Sequence, residues 1–234
     1  MVNATGQPSG QAPAVQPVAA GNGRRPEGWQ EKLALYLICD LGVVGERDPV
    51  QIVETALAAG VRTVQLRAKG TPARRAYELA LALRELTARY DALLIINDRL
   101  DLALAAGADG VHLGQSDLPA EAVRRLWPSG ILGISAGTPE EARRAEEAGA
   151  DYLGSGALRP TATKPDARVI GLEGLRAVVQ ATRLPVLAVG GVRADDLPAV
   201  RQAGALGVAV VGAILQAPDI REAVLAFRKA LASA

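Results

Sequence analysis

A phrase repeated four times constrains this chain more than any other feature. Each copy is a helical run closing on Ala-Gly, followed two residues later by an apolar strand. The copies are ALAAGVRTVQLRAK from Ala56, ALAAGADGVHLGQ from Ala103, AEEAGADYLGSG from Ala145 and VRQAGALGVAVVG from Val200. Gly60, Gly107, Gly149 and Gly204 each suit the position just past a helix end, where the backbone turns left-handed. One further apolar run lies between consecutive copies: LLIIND at 93–98, ILGISA at 131–136 and LPVLAVGG at 184–191, with ALYLICD ahead of them all. That makes eight strands, separated by helical patterns such as Arg74–Tyr90 and Pro139–Ala148. Strands alternating with helices imply right-handed βαβ units and a parallel sheet. Eight of them in roughly 200 residues imply a single (β/α)8 TIM barrel. A doubly wound open sheet is the alternative. It usually has fewer strands, and its opening turn would carry G-x-G-x-x-G, which is absent after Asp40.

Composition agrees with one barrel domain over 28–234. The chain has 234 residues, 49% hydrophobic but only 3% aromatic, so its core is built of Ala, Leu, Val and Ile. Residues 1–27 carry no charge before Arg24 and are rich in Gly, Pro, Gln and Ala, which predicts a disordered tail and not a secretory signal. With 26 basic and 25 acidic residues the net charge is +1, which gives no case for a nucleic-acid or membrane partner. One cysteine, Cys39, and one histidine, His112, leave no disulfide and no soft-ligand zinc site. No apolar run nears the ~18 residues of a membrane span. A cytoplasmic protein is expected, and self-association into a homo-oligomer stays open.

In a barrel, chemistry gathers where strands end. The strand ends here carry Asp40, then Gln65, Arg67 and Lys69, then Asn97 and Asp98, then His112 and Gln115, Ser135, Ser155, Gly190–Gly191 and Gly212. Gln65, Arg67 and Lys69 share a parity, so the period of a strand puts them on one face. Asp98 and Asp117 follow two neighbouring strands, and two carboxylates on one rim suit Mg²⁺. Helix capping competes with that reading. Asn97 or Asp98 could cap a helix starting near Leu100, and Ser116 or Asp117 one starting near Pro119. Arg67, Lys69 and Lys164 suit a polyanion. The glycine turns at 189–191 and 210–213 follow the seventh and eighth strands, where barrels bind phosphate monoesters. The long loop from Leu158 brings Thr161, Thr163 and Lys164. His112 reads as a packed or supporting group more readily than as a general base, and Cys39 as a packed strand residue.

From about Leu35 to Leu231 the chain resembles thiamine phosphate synthase. The resemblance rests on LYLICD, QLRAK, INDRLDLALAAGADGVHLGQSD, LGISAGT, GADYLGSG, RPTATKPDA and VLAVGGV. It implies a barrel that joins an aminopyrimidine-methyl diphosphate to a thiazole-ethyl phosphate and releases diphosphate. It also implies roles. Gln65, Arg67 and Lys69 would contact the pyrimidine diphosphate with Asn97 beside them, and Asp98 and Asp117 would hold Mg²⁺. Ser135 would contact the pyrimidine and Lys164 the diphosphate. Thr161, Thr163, Gly191, Val211 and Gly212 would hold the thiazole phosphate. Catalysis would fall to Arg67, Lys69, Lys164 and Ser135. The chain departs from the family pattern at four places: Ala68, where an acidic residue is usual; Gly212, where a hydroxyl is common; Cys39, where Thr is usual; and Leu158–Arg159. A thiazole tautomerase-like barrel is the enzymatic rival, but it uses a histidine where this chain has Gly137. A non-catalytic phosphate-ligand binder is the reading from another class.

Overall fold

A computed structural model describes residues 25–161, 163 and 167–233. The tail expected over 1–27 lies outside them as far as Arg24. Among the described residues of that stretch, Arg25 pairs its guanidinium with Asp151 of the barrel at 2.7 Å.

The eight expected strands are all present: β1 (Leu35–Asp40), β2 (Thr63–Arg67), β3 (Leu93–Asn97), β4 (Gly110–Leu113), β5 (Ile131–Ser135), β6 (Tyr152–Ser155), β7 (Val186–Val189) and β8 (Gly207–Val210). Each pairs in parallel with the next and β8 closes on β1, giving a closed barrel. Helices occupy the crossovers, among them Pro49–Ala59, Ala73–Arg89, Pro139–Glu147 and Ile220–Ser233. The repeated glycines behave as the phrase requires, with φ of 114° at Gly60, 62° at Gly107, 90° at Gly149 and 91° at Gly204. Helix starts are equally local. Asp48 accepts the Val50 N–H at 2.8 Å, and Pro49 follows it with φ already set for a helix.

Alternation along each strand sorts side chains into two cores. The larger lies between barrel and helices and is almost wholly Ala, Leu, Val and Ile. The smaller fills the barrel with Leu33, Tyr36, Leu93, Ile95, Ile131, Tyr152, Leu187 and Ala209. Two of the four tyrosines are therefore spent inside the barrel. Cys39 faces the outer layer, fully buried, as its parity predicts. Ser155 does so too. It was expected on the rim, but Tyr152 and Gly154 take the inward positions of β6, so its hydroxyl is buried with no hydrogen-bond partner among the described residues.

The N-terminal end of the barrel is tied by two copies of one device. In Gly107-Ala-Asp109 the carboxylate accepts the Leu94 N–H at 2.8 Å and pairs with Arg84 at 2.6 Å. In Gly149-Ala-Asp151 the carboxylate accepts the Leu132 N–H at 2.8 Å and pairs with Arg124 at 2.5 Å. Each aspartate thus stitches its own strand to the preceding strand and helix. No helix among the described residues is long and apolar enough to cross a membrane.

Candidate active site

The C-terminal rim opens on a cavity of about 890 Å³. Its wall draws on β1 to β8 and on the loops after them, so no single element makes the site. Gln65, Arg67 and Lys69 line it together, as their parity requires, with Asn97, Asp98, Asp117 and Ser135 beside them. Thr161, Thr163, Gly191, Val211 and Gly212 line the β6–β8 side. Lys164 lies outside the described residues. All the other candidate residues share one cavity.

The two acidic candidates are not helix caps. The helix Leu100–Ala105 is preceded by Arg99, and the helix Ala120–Leu126 by Pro119, both without a side-chain cap. Asp98 instead has φ of 62°, a left-handed backbone at a non-glycine residue, which is uncommon and is tolerated best by Asn and Asp. Its carboxylate meets Lys69 Nζ at 3.1 Å. Asp117 accepts the Gly114 N–H at 2.6 Å. Burial raises the Asp117 pKa, and a hydrogen bond with Asp98 raises it further. The two carboxylates thus interact across one cavity wall. Two hard oxygen groups so placed suit Mg²⁺ in chemistry. No cluster of three or more His, Cys, Asp and Glu occurs among the described residues.

Arg67 carries the answer to the departure at Ala68. Asp40 is its direct partner across β1 and β2, and the guanidinium donates to that carboxylate at 2.6 Å. Asp40 also caps the short helix Leu41–Val44 through the Gly42 N–H at 2.9 Å. A buried carboxylate from another strand thus orients the arginine without an acidic neighbour in sequence. Arg159, a departure from the family pattern, lines the cavity with a partner of its own. It forms a two-pronged ion pair with Asp196, and Asp196 also accepts the Arg193 N–H at 2.8 Å.

The β7 turn presents Gly190 and Gly191 with φ of 84° and 67°. Consecutive left-handed residues expose backbone N–H groups to one side. A Cβ at Gly191 would come within 2.8 Å of the Arg159 Cβ, so the close approach of the Thr161 loop also demands glycine. The helix Gly212–Leu215 begins beside it on the same cavity wall.

Sequence reasoning missed Tyr36 and Tyr152, which line the deep end of the cavity. Burial raises both phenol pKa values, so both keep their protons. His112 sits against Tyr152 and Ser135, and burial, opposed by the Asp117 charge, lowers its pKa from 6.5 to about 4. It is a neutral ring at ordinary pH, in keeping with a supporting role. Room for it is made by glycine: a Cβ on Gly133 would fall 2.2 Å from Tyr152 and 2.4 Å from the His112 ring. Inward parity was available as a signal for both tyrosines, but their meeting depends on inter-strand register.

Residues 35–214 match the family described as Thiamine monophosphate synthase. The chain belongs to that family. It is 46% identical over 200 residues to the thiamine-phosphate synthase of Pyrococcus furiosus, covering 86% of this chain and 95% of the relative. To the thiamine-phosphate synthase of Moorella thermoacetica it is 47% identical over 202 residues, covering 86% and 96%. A solved thiamine phosphate pyrophosphorylase from Pyrococcus furiosus superposes with a TM-score of 0.81 at 44% identity, covering 87% of this chain and 98% of the other. As a member of the thiamine monophosphate synthase family, the chain is a transferase of thiamine biosynthesis.

Proposed function

We propose that this enzyme condenses 4-amino-2-methyl-5-(diphosphooxymethyl)pyrimidine with a thiazole-ethyl phosphate to give thiamine phosphate and diphosphate. The observation that carries the reading is one cavity with two anion-seeking ends. Arg67, Lys69 and the Asp98–Asp117 pair stand on β2 to β4, while the paired glycines at 190–191 and Gly212 stand across the ring on β7 and β8. A volume of about 890 Å³ is within the range that holds small ligands.

The chemistry follows from the groups present. The bond between the pyrimidine methylene and the diphosphate oxygen breaks, its electron pair leaving with diphosphate. The thiazole nitrogen lone pair forms the new C–N bond. The electron-rich aminopyrimidine supports the positive charge that develops at the methylene. Arg67 and Lys69 offset the charge gathering on the leaving group, and Asp40 holds Arg67 in the orientation that lets it do so. A Mg²⁺ ion bound at Asp98 and Asp117 would add further stabilisation of the departing phosphate oxygens. Lys164 is assigned to the same diphosphate. Thr161, Thr163 and the β7–β8 backbone fix the thiazole phosphate and so place the nucleophile. Ser135 and Gln65 orient the pyrimidine. No strong base is required, which suits a site whose one histidine is held neutral.

Incubating the pure protein with both phosphorylated half-substrates and Mg²⁺ tests this by diphosphate release. Metal-dependent release is expected. Binding of both compounds without release would instead establish a phosphate-ligand binder.

A further inference from the structure

The deep end of the cavity holds an unbroken line of polar side chains. Gln65 Nε2 donates to the Tyr36 hydroxyl at 2.7 Å. The Tyr36 and Tyr152 hydroxyls are 3.0 Å apart. His112 Nδ1 lies 3.1 Å from the Tyr152 hydroxyl, and His112 Nε2 lies 3.0 Å from Ser135 Oγ. The line begins and ends on the two residues assigned to the pyrimidine. Its three middle members have no role in the reaction as described.

We propose that Tyr36, Tyr152 and His112 are positioning residues that link Gln65 to Ser135 into one directional hydrogen-bond chain, which decides whether the Ser135 hydroxyl meets a ligand as a donor or as an acceptor only. The inference rests on the assignment of this floor to the pyrimidine and deepens it.

The direction follows from the count of protons. A phenol has one O–H, and a neutral imidazole has one N–H and one bare nitrogen. With Gln65 Nε2 donating, every proton in the line finds an acceptor only when Tyr36 donates onward to Tyr152 and Tyr152 to His112 Nδ1. The ring proton then sits on Nε2 and is donated to Ser135. The Ser135 hydroxyl proton is left for a ligand, and Gln65 Oε1 is left to accept from one. Turning the Gln65 amide over reverses every bond. Gln65 then offers N–H, and Ser135 offers a lone pair. The free Ser135 proton thus belongs to one polarity only, so the state of the chain decides whether Ser135 can donate to a heteroaromatic edge. Protonated His112 would donate from both nitrogens and break the chain. Near pH 8 even an ordinary imidazole is neutral. Tyr36 and Tyr152 are almost fully buried, so water cannot substitute for a missing link.

The single histidine makes the chain directly observable, because ¹⁵N-histidine labelling yields one imidazole whose shifts report its tautomer. In the ligand-free protein near pH 8 the expected state is neutral with the proton on Nε2. Gln65→Glu replaces the terminal donor with an acceptor. It should move the proton to Nδ1, three links away, and adding Tyr36→Phe should remove that response. The same tautomer in the unaltered protein and in Gln65→Glu overturns the proposal. If Gln65→Glu does not fold, Tyr36→Phe and Ser135→Ala supply the second test. Each should weaken binding of the pyrimidine diphosphate about tenfold, with the double variant little worse than either, since one break already interrupts the chain. Independent sites would multiply to about a hundredfold, and that result also overturns it. The tautomer needs no substrate. Absence of turnover in the unaltered protein would therefore remove the proposed reaction without touching the chain.

Discussion

The two ends of the barrel treat their aspartates in opposite ways. At the N-terminal end Asp109 takes Arg84 and Asp151 takes Arg124 and Arg25, and each accepts one backbone N–H from the neighbouring strand. At the C-terminal rim Asp98 and Asp117 interact with each other, and among the described residues Lys69 and the Gly114 N–H are what offsets their two like charges. The first arrangement satisfies its charges from within the fold. The second leaves an excess of negative charge that only a proton or a cation removes. One carboxylate of that second pair also rests on left-handed backbone, a strain of ~1–3 kcal/mol of the kind that persists where surrounding structure and function demand it. Carboxylates of the same type thus hold the barrel together at one end and prepare it for ligand at the other.

The sharpest way to break this comparison is to neutralise the rim. Asp98→Asn and Asp117→Asn keep the size of each side chain, and Asn accepts the left-handed backbone at 98 as readily as Asp. Diphosphate release should fall on the order of 10²–10³-fold for each, with Mg²⁺ dependence blunted and the melting temperature nearly unchanged. Activity that persists while stability falls would place these residues in the structural class with Asp109 and Asp151.

The converse change is Asp151→Ala. It removes the carboxylate partner of Arg124 and Arg25 and leaves the Leu132 N–H without its acceptor. Stability should drop by about 3 kcal/mol in urea unfolding, with turnover per folded molecule retained. A loss of turnover without a loss of stability would dissolve the distinction between the ends.

A smaller effect comes from His112, on the cavity side. Its pKa falls from 6.5 to about 4 on folding, so between those values the unfolded chain binds more protons than the folded one. The stabilisation is whole above about 6.5 and is lost as pH drops toward 4, by on the order of 1–3 kcal/mol. Urea midpoints at pH 7 and pH 4.5, compared with those of His112→Gln, isolate it. An equal loss in both proteins would assign the acid sensitivity elsewhere.

Much of this was legible before any coordinates. The Ala-Gly phrase announces its helix ends because a left-handed residue after a helix is a local demand. Parity placed Gln65, Arg67 and Lys69 on one face because a strand has a period of two. Helix capping was the wrong rival for Asp98 and Asp117, because capping depends on where the first turn begins, and here that is at Arg99 and Pro119. Ser155 was misplaced because parity was not carried from Tyr152. The partners of Arg67 and Arg159 could not be read, since Asp40 is 27 and Asp196 is 37 positions away.

The sequence by itself determined the strand count, the alternation with helices, the end of the barrel where polar side chains collect and many of the residues that line the cavity there. These follow from short-range rules of turn, period and charge. Tertiary structure alone decided which of them touch. The run from Gln65 through Tyr36, Tyr152 and His112 to Ser135 draws on β2, β1, β6, β4 and β5, and it exists only because barrel closure and register bring those strands to one axis.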